Sequence, residues 1–173
     1  MTRSSSLRIW WLATGAVACG LALTVASASG GRAAAASCKT SGLVVWMDTR
    51  GGAAAGTAYY TLELTNQSGH SCTLFGYPGV SAVDLRGRQL GSAAARNPSA
   101  RHVVTLRNGA TAGAQLGIGT AANYPRSVCH QVAAAGLRVF PPNQTASKVV
   151  PFPFQACARA GPVYLHVGSV RKL

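Results

Sequence analysis

Residues 59–65 read Tyr59-Tyr60-Thr61-Leu62-Glu63-Leu64-Thr65, and this stretch decides the fold class because apolar and polar side chains alternate along it. A period of two is typical of a β-strand with one face in the core and the other in water. The alternation predicts that Leu62 and Leu64 face the core and that Glu63 faces solvent. The polar turn Asn66-Gln67-Ser68-Gly69 then ends the strand.

The rest of the chain shows the same pattern of short strands separated by turn signals. Two hairpins are predicted, one from Leu43–Met47 with Tyr59–Thr65 and one from Leu137–Phe140 with Lys148–Phe152. Tight connections between many short strands predict an all-β fold, an immunoglobulin-like antiparallel β-sandwich that forms a single domain over residues 38–173.

Two finer predictions concern the second half of the chain. Ser127–Gly136 is the stretch that best suits a short helix. The last strand is predicted over Val163–Val167, with Val163 facing inward and Tyr164 facing outward.

The first 28 residues are predicted to be a secretory signal peptide. Arg3 and Arg8 supply its positive start, the apolar run extends over Ile9–Val25, and Ala26-Ser27-Ala28 matches an A-x-A cleavage site. The predicted location of the mature protein is therefore secreted or in the cell envelope, outside the cytoplasm. No later stretch is long and apolar enough to predict a membrane span in the mature chain.

Processing of this segment leaves three alternatives open. Cleavage as late as residue 36 also suits the small residues before it, and residues 29–37 are predicted to be a flexible Ala/Gly tether. Retention as a membrane anchor and lipidation at Cys19 are the other two.

Four cysteines remain after the signal peptide: Cys38, Cys72, Cys129 and Cys157. In an exported domain they predict two disulfides, for which three connectivities are possible. The two predicted hairpins favour Cys38–Cys72 and Cys129–Cys157, because each pair then flanks one hairpin. A zinc site is the alternative, but it normally needs closely spaced cysteine pairs, which this chain lacks.

The charge balance is strongly basic. Sixteen Lys and Arg residues face three Asp and Glu residues, for a formal net charge of +13. The predicted anion-binding residues concentrate in the middle of the chain: Arg86, Arg88, Arg96, Arg101 and Arg107. Anionic polymers of the cell envelope or lipid headgroups are the predicted partners. Nucleic acid is disfavoured, because this stretch has few aromatic residues beside its arginines. The alternative is that these charges only solvate the surface.

The sequence predicts no enzyme, no catalytic residue, no metal site and no cofactor. Three carboxylates and the absence of a Gly-x-Ser-x-Gly motif disfavour a serine hydrolase. His70, His102, His130 and His166 lack the spacing of metal ligands. A metal-carrying or enzymatic domain that uses a histidine cluster is the alternative hypothesis, and an accessory subunit of another secreted protein is a third.

The block Cys72-Thr73-Leu74-Phe75-Gly76-Tyr77-Pro78-Gly79-Val80 resembles the domain-of-unknown-function 4232 family of secreted actinobacterial proteins. Asp84-Leu85-Arg86-Gly87 and Val104-Thr105-Leu106-Arg107-Asn108-Gly109 extend the resemblance, which covers residues 38–170. It implies an exported immunoglobulin-like β-sandwich and implies no activity. Within the block, Tyr77 is predicted to anchor a turn by packing its ring and hydrogen-bonding its hydroxyl, with a ligand-facing role as the alternative.

The function predicted from these observations is that of an exported, non-catalytic β-sandwich of unknown biochemical role. It would serve as an adhesion or binding module for anionic components of the cell envelope.

Overall fold

The structure, a computed structural model, describes residues 35–173. The predicted signal peptide (1–28), Cys19 and most of the predicted tether (29–37) lie outside the described residues. The strands are β1 (Leu43–Ala54), β2 (Thr57–Asn66), β3 (Cys72–Phe75), β4 (Gly79–Val83), β5 (Gln89–Leu90), β6 (Ala95–Arg96), β7 (Val103–Leu106), β8 (Thr111–Gly119), β9 (Gln131–Phe140), β10 (Lys148–Cys157), β11 (Leu165–Val167) and β12 (Arg171–Lys172). A one-turn helix α1 (Arg126–Cys129) and the 3₁₀ turns Thr40–Gly42 and Ala121–Asn123 complete the described elements.

The larger sheet contains six strands in the order β1-β2-β8-β11-β6, and β12 also pairs with β8. The β1–β2 hairpin is the first predicted hairpin, and its strands are longer than the sequence predicts, since pairing runs from Leu43 opposite Asn66 to Ala54 opposite Thr57. All pairings in this sheet are antiparallel except that of β11 with β6. The first predicted hairpin is therefore confirmed, and β2 also pairs with β8 on its other side, which the sequence did not predict.

The second sheet has four strands in the order β10-β9-β4-β5, while β3 and β7 form a separate pair. The β9–β10 hairpin confirms the second prediction, with Val150 opposite Leu137. Strand β10 lies at the edge of its sheet and contains Pro151 and Pro153. Proline lacks the N–H needed to bond another strand, so both residues suit an edge.

One hydrophobic core joins the sheets. Leu62, Leu64 and Leu116 of the larger sheet are fully buried, as are Leu137 and Val139 of the smaller one. The prediction that Leu62 and Leu64 face the core is confirmed. The described chain is thus all-β, built from mainly antiparallel sheets.

Two disulfides close the fold, Cys38–Cys72 and Cys129–Cys157. These are the pairs that the hairpins favoured. All four cysteines are buried.

The predictions for Ser127–Gly136 and for the last strand were partly wrong. Helix α1 ends at Cys129, and strand β9 begins at Gln131. His130 separates them with a left-handed φ of 49°, which breaks helical continuation. In the last strand, Tyr164 is buried and Val163 is exposed. Pairing with β8 starts only at Leu165, so strand alternation does not extend to the two residues before it.

The prediction that Glu63 faces solvent was also wrong, since only 8% of this residue is exposed. Directly paired residues share a face, which places Glu63 between Trp46 of β1 and Gly113 of β8. The side chain of Leu173 lies over Gly113, where a Cβ atom would come within 2.8 Å of it. The C-terminal segment therefore covers a face that the local pattern indicates as solvated.

Burial raises the pKa of the Glu63 carboxyl, and the nearby charge of Asp48 raises it further, while Arg50 opposes the rise. A folded-state pKa above the unfolded value means that stability falls as pH rises through this range. We expect Glu63→Gln to increase the free energy of unfolding at pH 7 and to leave it unchanged at pH 3, where the Glu63 carboxyl is protonated in both the folded and the unfolded protein. Urea unfolding at the two pH values measures this.

Asp48→Asn, on the same sheet, is the matched control, and we expect it to change the free energy of unfolding in the opposite direction. The Arg50 side chain donates hydrogen bonds to both carboxylate oxygens of Asp48 at 3.0 Å, and these bonds lower the pKa of Asp48. This substitution should reduce stability at pH 7 and have no effect at low pH. An equal gain from Glu63→Gln at pH 3 and pH 7 would contradict the electrostatic explanation.

Candidate anion-binding groove

The five predicted anion-binding arginines do not form one patch. Arg86 and Arg88 lie in the turn between β4 and β5, where they surround Asp84. The Asp84 carboxylate accepts hydrogen bonds from both backbone N–H groups and from the Arg88 side chain at 2.8 Å. These bonds, led by that from the Arg88 backbone, lower the pKa of Asp84. A carboxylate that stays ionised offsets part of the positive charge at this turn.

Arg107 lies apart from Arg101 because strand β7 separates them. Arg101 precedes the first residue of β7, whereas Arg107 follows the last, Leu106. A strand advances about 3.3 Å per residue, so about 20 Å of chain lies between the two arginines. Arg107 does not line the depression that Arg96 and Arg101 share.

Arg96 and Arg101 do converge. The Arg96 guanidinium carbon lies 5.6 Å from the centre of the Tyr77 ring, and that of Arg101 lies 5.8 Å from the centre of the Phe75 ring. Both distances allow attraction between a cation and an aromatic face. The four side chains line one depression of about 340 Å³, which we call the arginine groove.

Hydrogen bonds fix the Tyr77 end of the arginine groove. The Tyr77 hydroxyl donates to the Ser99 carbonyl at 3.1 Å and accepts from the Ser99 backbone N–H at 3.2 Å. Ser169 in turn donates to the Ala100 carbonyl at 2.7 Å. The β6–β7 loop, which follows Arg96 and contains Arg101, is therefore tied to the β3–β4 turn and to the β11–β12 connection. The predicted anchoring of Tyr77 is present, and the same residue also lines the groove.

The arginine groove carries positive charge from Arg96 and Arg101. Hydrogen bonds with Ser99 lower the pKa of the Tyr77 phenol, and the charges of Arg101 and Arg96 lower it further. The opposite wall is formed by the β9–β10 turn, where Asn143 and Gln144 add amide groups. The Asn143 side chain donates to the Phe75 carbonyl at 3.3 Å, which holds this wall against β3.

Sequence reasoning missed Phe75 and the β9–β10 turn as parts of the site. Phe75 pairs with Val103, and this register brings its ring to Arg101 across two strands that are distant in sequence. A signal did exist, since Phe75 and Tyr77 are two aromatic residues separated only by Gly76, where the chain turns with a φ of 97°. The pairing partner was not predictable from that spacing.

Three of the four histidines lie in separate depressions or loops, and His102 lies in the loop immediately before β7. His70 contacts the Ser68 carbonyl through Nδ1 at 3.0 Å, His130 lies beside Arg126 in another depression, and His166 shares a third with Tyr59. Within residues 35–173, no three His, Cys, Asp or Glu side chains group closely enough to hold a metal ion.

Membrane-spanning helices were searched over the same residues. None of the helices in the described part of the chain has the length and apolar character needed to span a bilayer.

Comparison with known proteins gives one match. A family model described as "Domain of unknown function (DUF4232)" matches residues 38–171. No curated protein and no solved structure matches the chain.

Proposed function

Since the chain belongs to the DUF4232 family of domains of unknown function, we propose from its own geometry that it is a non-catalytic binding module for anionic polymers of the cell envelope. The arginine groove holds the polymer. Arg96 and Arg101 bind phosphate or carboxylate groups, and the rings of Phe75 and Tyr77 position the two guanidinium groups.

One observation supports this proposal above all: two guanidinium groups lie over two aromatic rings in a groove that no carboxylate lines. All three acidic residues of the chain lie elsewhere, at Asp48, Glu63 and Asp84. Arginine presents planar, forked donors that bind an anionic group through two parallel hydrogen bonds. The groove therefore offers positive charge that no neighbouring acid neutralises.

The proposal includes an immunoglobulin-like β-sandwich located outside the cytoplasm. Mainly antiparallel sheets that share one core support the sandwich. Two disulfides support the location, since such bonds persist in oxidising compartments. Residues 35–173 hold 13 Lys and Arg residues against three Asp and Glu residues, and this excess of positive charge attracts polyanions to the whole surface, while the groove adds a specific contact.

Poly(glycerol phosphate), a soluble phosphate polymer, tests the groove. We expect the Arg96→Gln/Arg101→Gln variant to bind it at least about tenfold more weakly than the wild type, because each charged hydrogen bond contributes about 1.5 to 3 kcal/mol. Isothermal titration calorimetry at low salt measures the affinity. Wild-type binding should fall steeply as salt is raised towards 1 M, since salt screens exposed charges.

Arg86→Gln/Arg107→Gln is the matched control, because it removes the same charge outside the groove. Its affinity should fall much less. Equal losses in both variants would overturn the proposed site, and undiminished binding in molar salt would overturn the electrostatic mechanism. Sedimentation with vesicles of anionic phospholipid distinguishes binding of lipid headgroups from binding of the polymer. If the Arg96→Gln/Arg101→Gln variant loses binding to the vesicles but keeps wild-type affinity for the polymer, the groove binds lipid and the polymer proposal is overturned.

A further inference from the structure

A second depression lies where the start of β2 and the end of β8 meet β10, and it shares no lining residue with the arginine groove. It has a volume of about 260 Å³ and is lined by Tyr60 and Ile118 of the larger sheet and by Phe152 and Phe154 of β10. Small residues, including Ala58 and Ala121, complete its walls. We call it the aromatic cleft.

The aromatic cleft has firm walls. The Tyr60 and Phe152 rings meet edge to face with their centres 5.0 Å apart, and the Phe152 and Phe154 centres are 6.1 Å apart. The Gln131 side chain donates to the Ala121 carbonyl at 3.2 Å, which ties β9 to the 3₁₀ turn at the cleft. Apolar walls with a few fixed polar groups are typical of small-molecule sites.

One end of the cleft is cationic. A neighbouring depression of about 460 Å³ is lined by Arg126 and His130, and it shares Gln131 and Gln155 with the aromatic cleft. Arg126 and His130 are exposed. No carboxylate lines either depression, so the Arg126 charge has no acidic partner there. The apolar cleft therefore adjoins a depression in which the positive charge of Arg126 has no acidic partner.

We infer that this composite site binds a single-chain fatty acid, with its acyl chain in the aromatic cleft and its carboxylate at Arg126 and His130. The charge complementarity selects an acid over an uncharged lipid, because a guanidinium binds a carboxylate through two parallel hydrogen bonds. A volume of about 260 Å³, slightly below the usual range of ligand pockets, suits one short acyl chain and excludes a diacyl lipid. This site is independent of the arginine groove and of its proposed polymer.

Decanoate and decanol, which share a chain length and differ in headgroup charge, test the inference. Calorimetric titration of the full chain at pH 7 should give saturable decanoate binding, with decanol about tenfold weaker. Ala58→Phe should abolish binding of both ligands, because Ala58 lines the cleft and the larger ring fills it.

The surface variant Arg126→Gln/His130→Gln keeps the test valid if Ala58→Phe fails to fold. It should lose the preference for decanoate while decanol affinity stays the same, because it leaves the apolar walls intact. The Arg96→Gln/Arg101→Gln variant should bind decanoate like the wild type, which separates this site from the arginine groove. Absence of saturable decanoate binding, equal affinity for the two ligands, or a decanoate preference that survives loss of Arg126 and His130 would each overturn the inference.

Discussion

Asn66→Asp is expected to lower the free energy of unfolding by about 4 kcal/mol at pH 7, although the two side chains have nearly the same shape. Asn66 is completely buried. Its amide nitrogen donates to the His70 carbonyl at 2.8 Å and to the Leu106 carbonyl at 3.1 Å. An aspartate oxygen at this position faces two acceptors, so both hydrogen bonds are lost and a charge is buried without compensation.

The position of Asn66 explains why the loss is large. Its backbone N–H donates to the Ala110 carbonyl at 2.9 Å, and its carbonyl accepts from the Gly109 N–H. Its side-chain oxygen accepts from the Ser68 N–H at 3.0 Å. One residue thus joins the end of β2, the approach to β3 and the turn between β7 and β8. Repulsion at the amide nitrogen position strains all three segments.

Urea unfolding at pH 7 and pH 4 measures the effect, and the deficit should shrink at pH 4 because protonation restores a donor and removes the charge. Asn108→Asp is the matched control from the same turn cluster. Asn108 is exposed, and its side-chain oxygen accepts from the Gly69 N–H at 2.8 Å. A carboxylate performs that role equally well, so this variant should be nearly neutral. Equal losses in both variants would show that the buried donors are not the cause.

Local periodicity predicted the strands because it depends only on side chains two residues apart. The alternation around Leu62 and Leu64 reports a buried face, and that face exists. Glu63 shows the limit of this reasoning. Its burial depends on Trp46 from the preceding strand and on Leu173, the last residue of the chain. No window around residue 63 contains that information.

The candidate sites were less predictable than the strands, because they too depend on residues that are distant in sequence. The basic stretch was recognised as five arginines that are close in sequence, but proximity in sequence does not imply a shared surface. Arg96 and Arg101 converge because the β6–β7 loop folds back onto the β3–β4 turn. The aromatic cleft depends on β10 packing against the start of β2 and the end of β8. Both sites are products of tertiary packing, which a pattern of single strands does not specify.

Removing either disulfide is expected to lower the free energy of unfolding by about 3 to 4 kcal/mol. The two bridges close loops with sequence separations of 34 and 28 residues, and closure of loops of this size restricts the unfolded chain by about that amount. Urea unfolding of Cys38→Ala/Cys72→Ala and Cys129→Ala/Cys157→Ala without reductant measures the losses. The reduced wild type, which keeps all four sulfur atoms, separates the bridge from the lost packing. A reduced wild type as stable as the oxidised protein would contradict the prediction.

The two bridges should differ in their effect on the aromatic cleft even though their effects on stability are similar. Cys129–Cys157 holds helix α1 against the end of β10, where the Ala158 N–H donates to the His130 carbonyl at 3.0 Å. Loss of this bridge frees the turn that carries Arg126 and His130, so decanoate affinity should fall. Cys38–Cys72 lies at the start of the described chain and lines neither depression, so its loss should leave decanoate affinity unchanged among molecules that remain folded. Equal weakening in both variants would mean that global destabilisation, and not the position of this turn, controls the cleft.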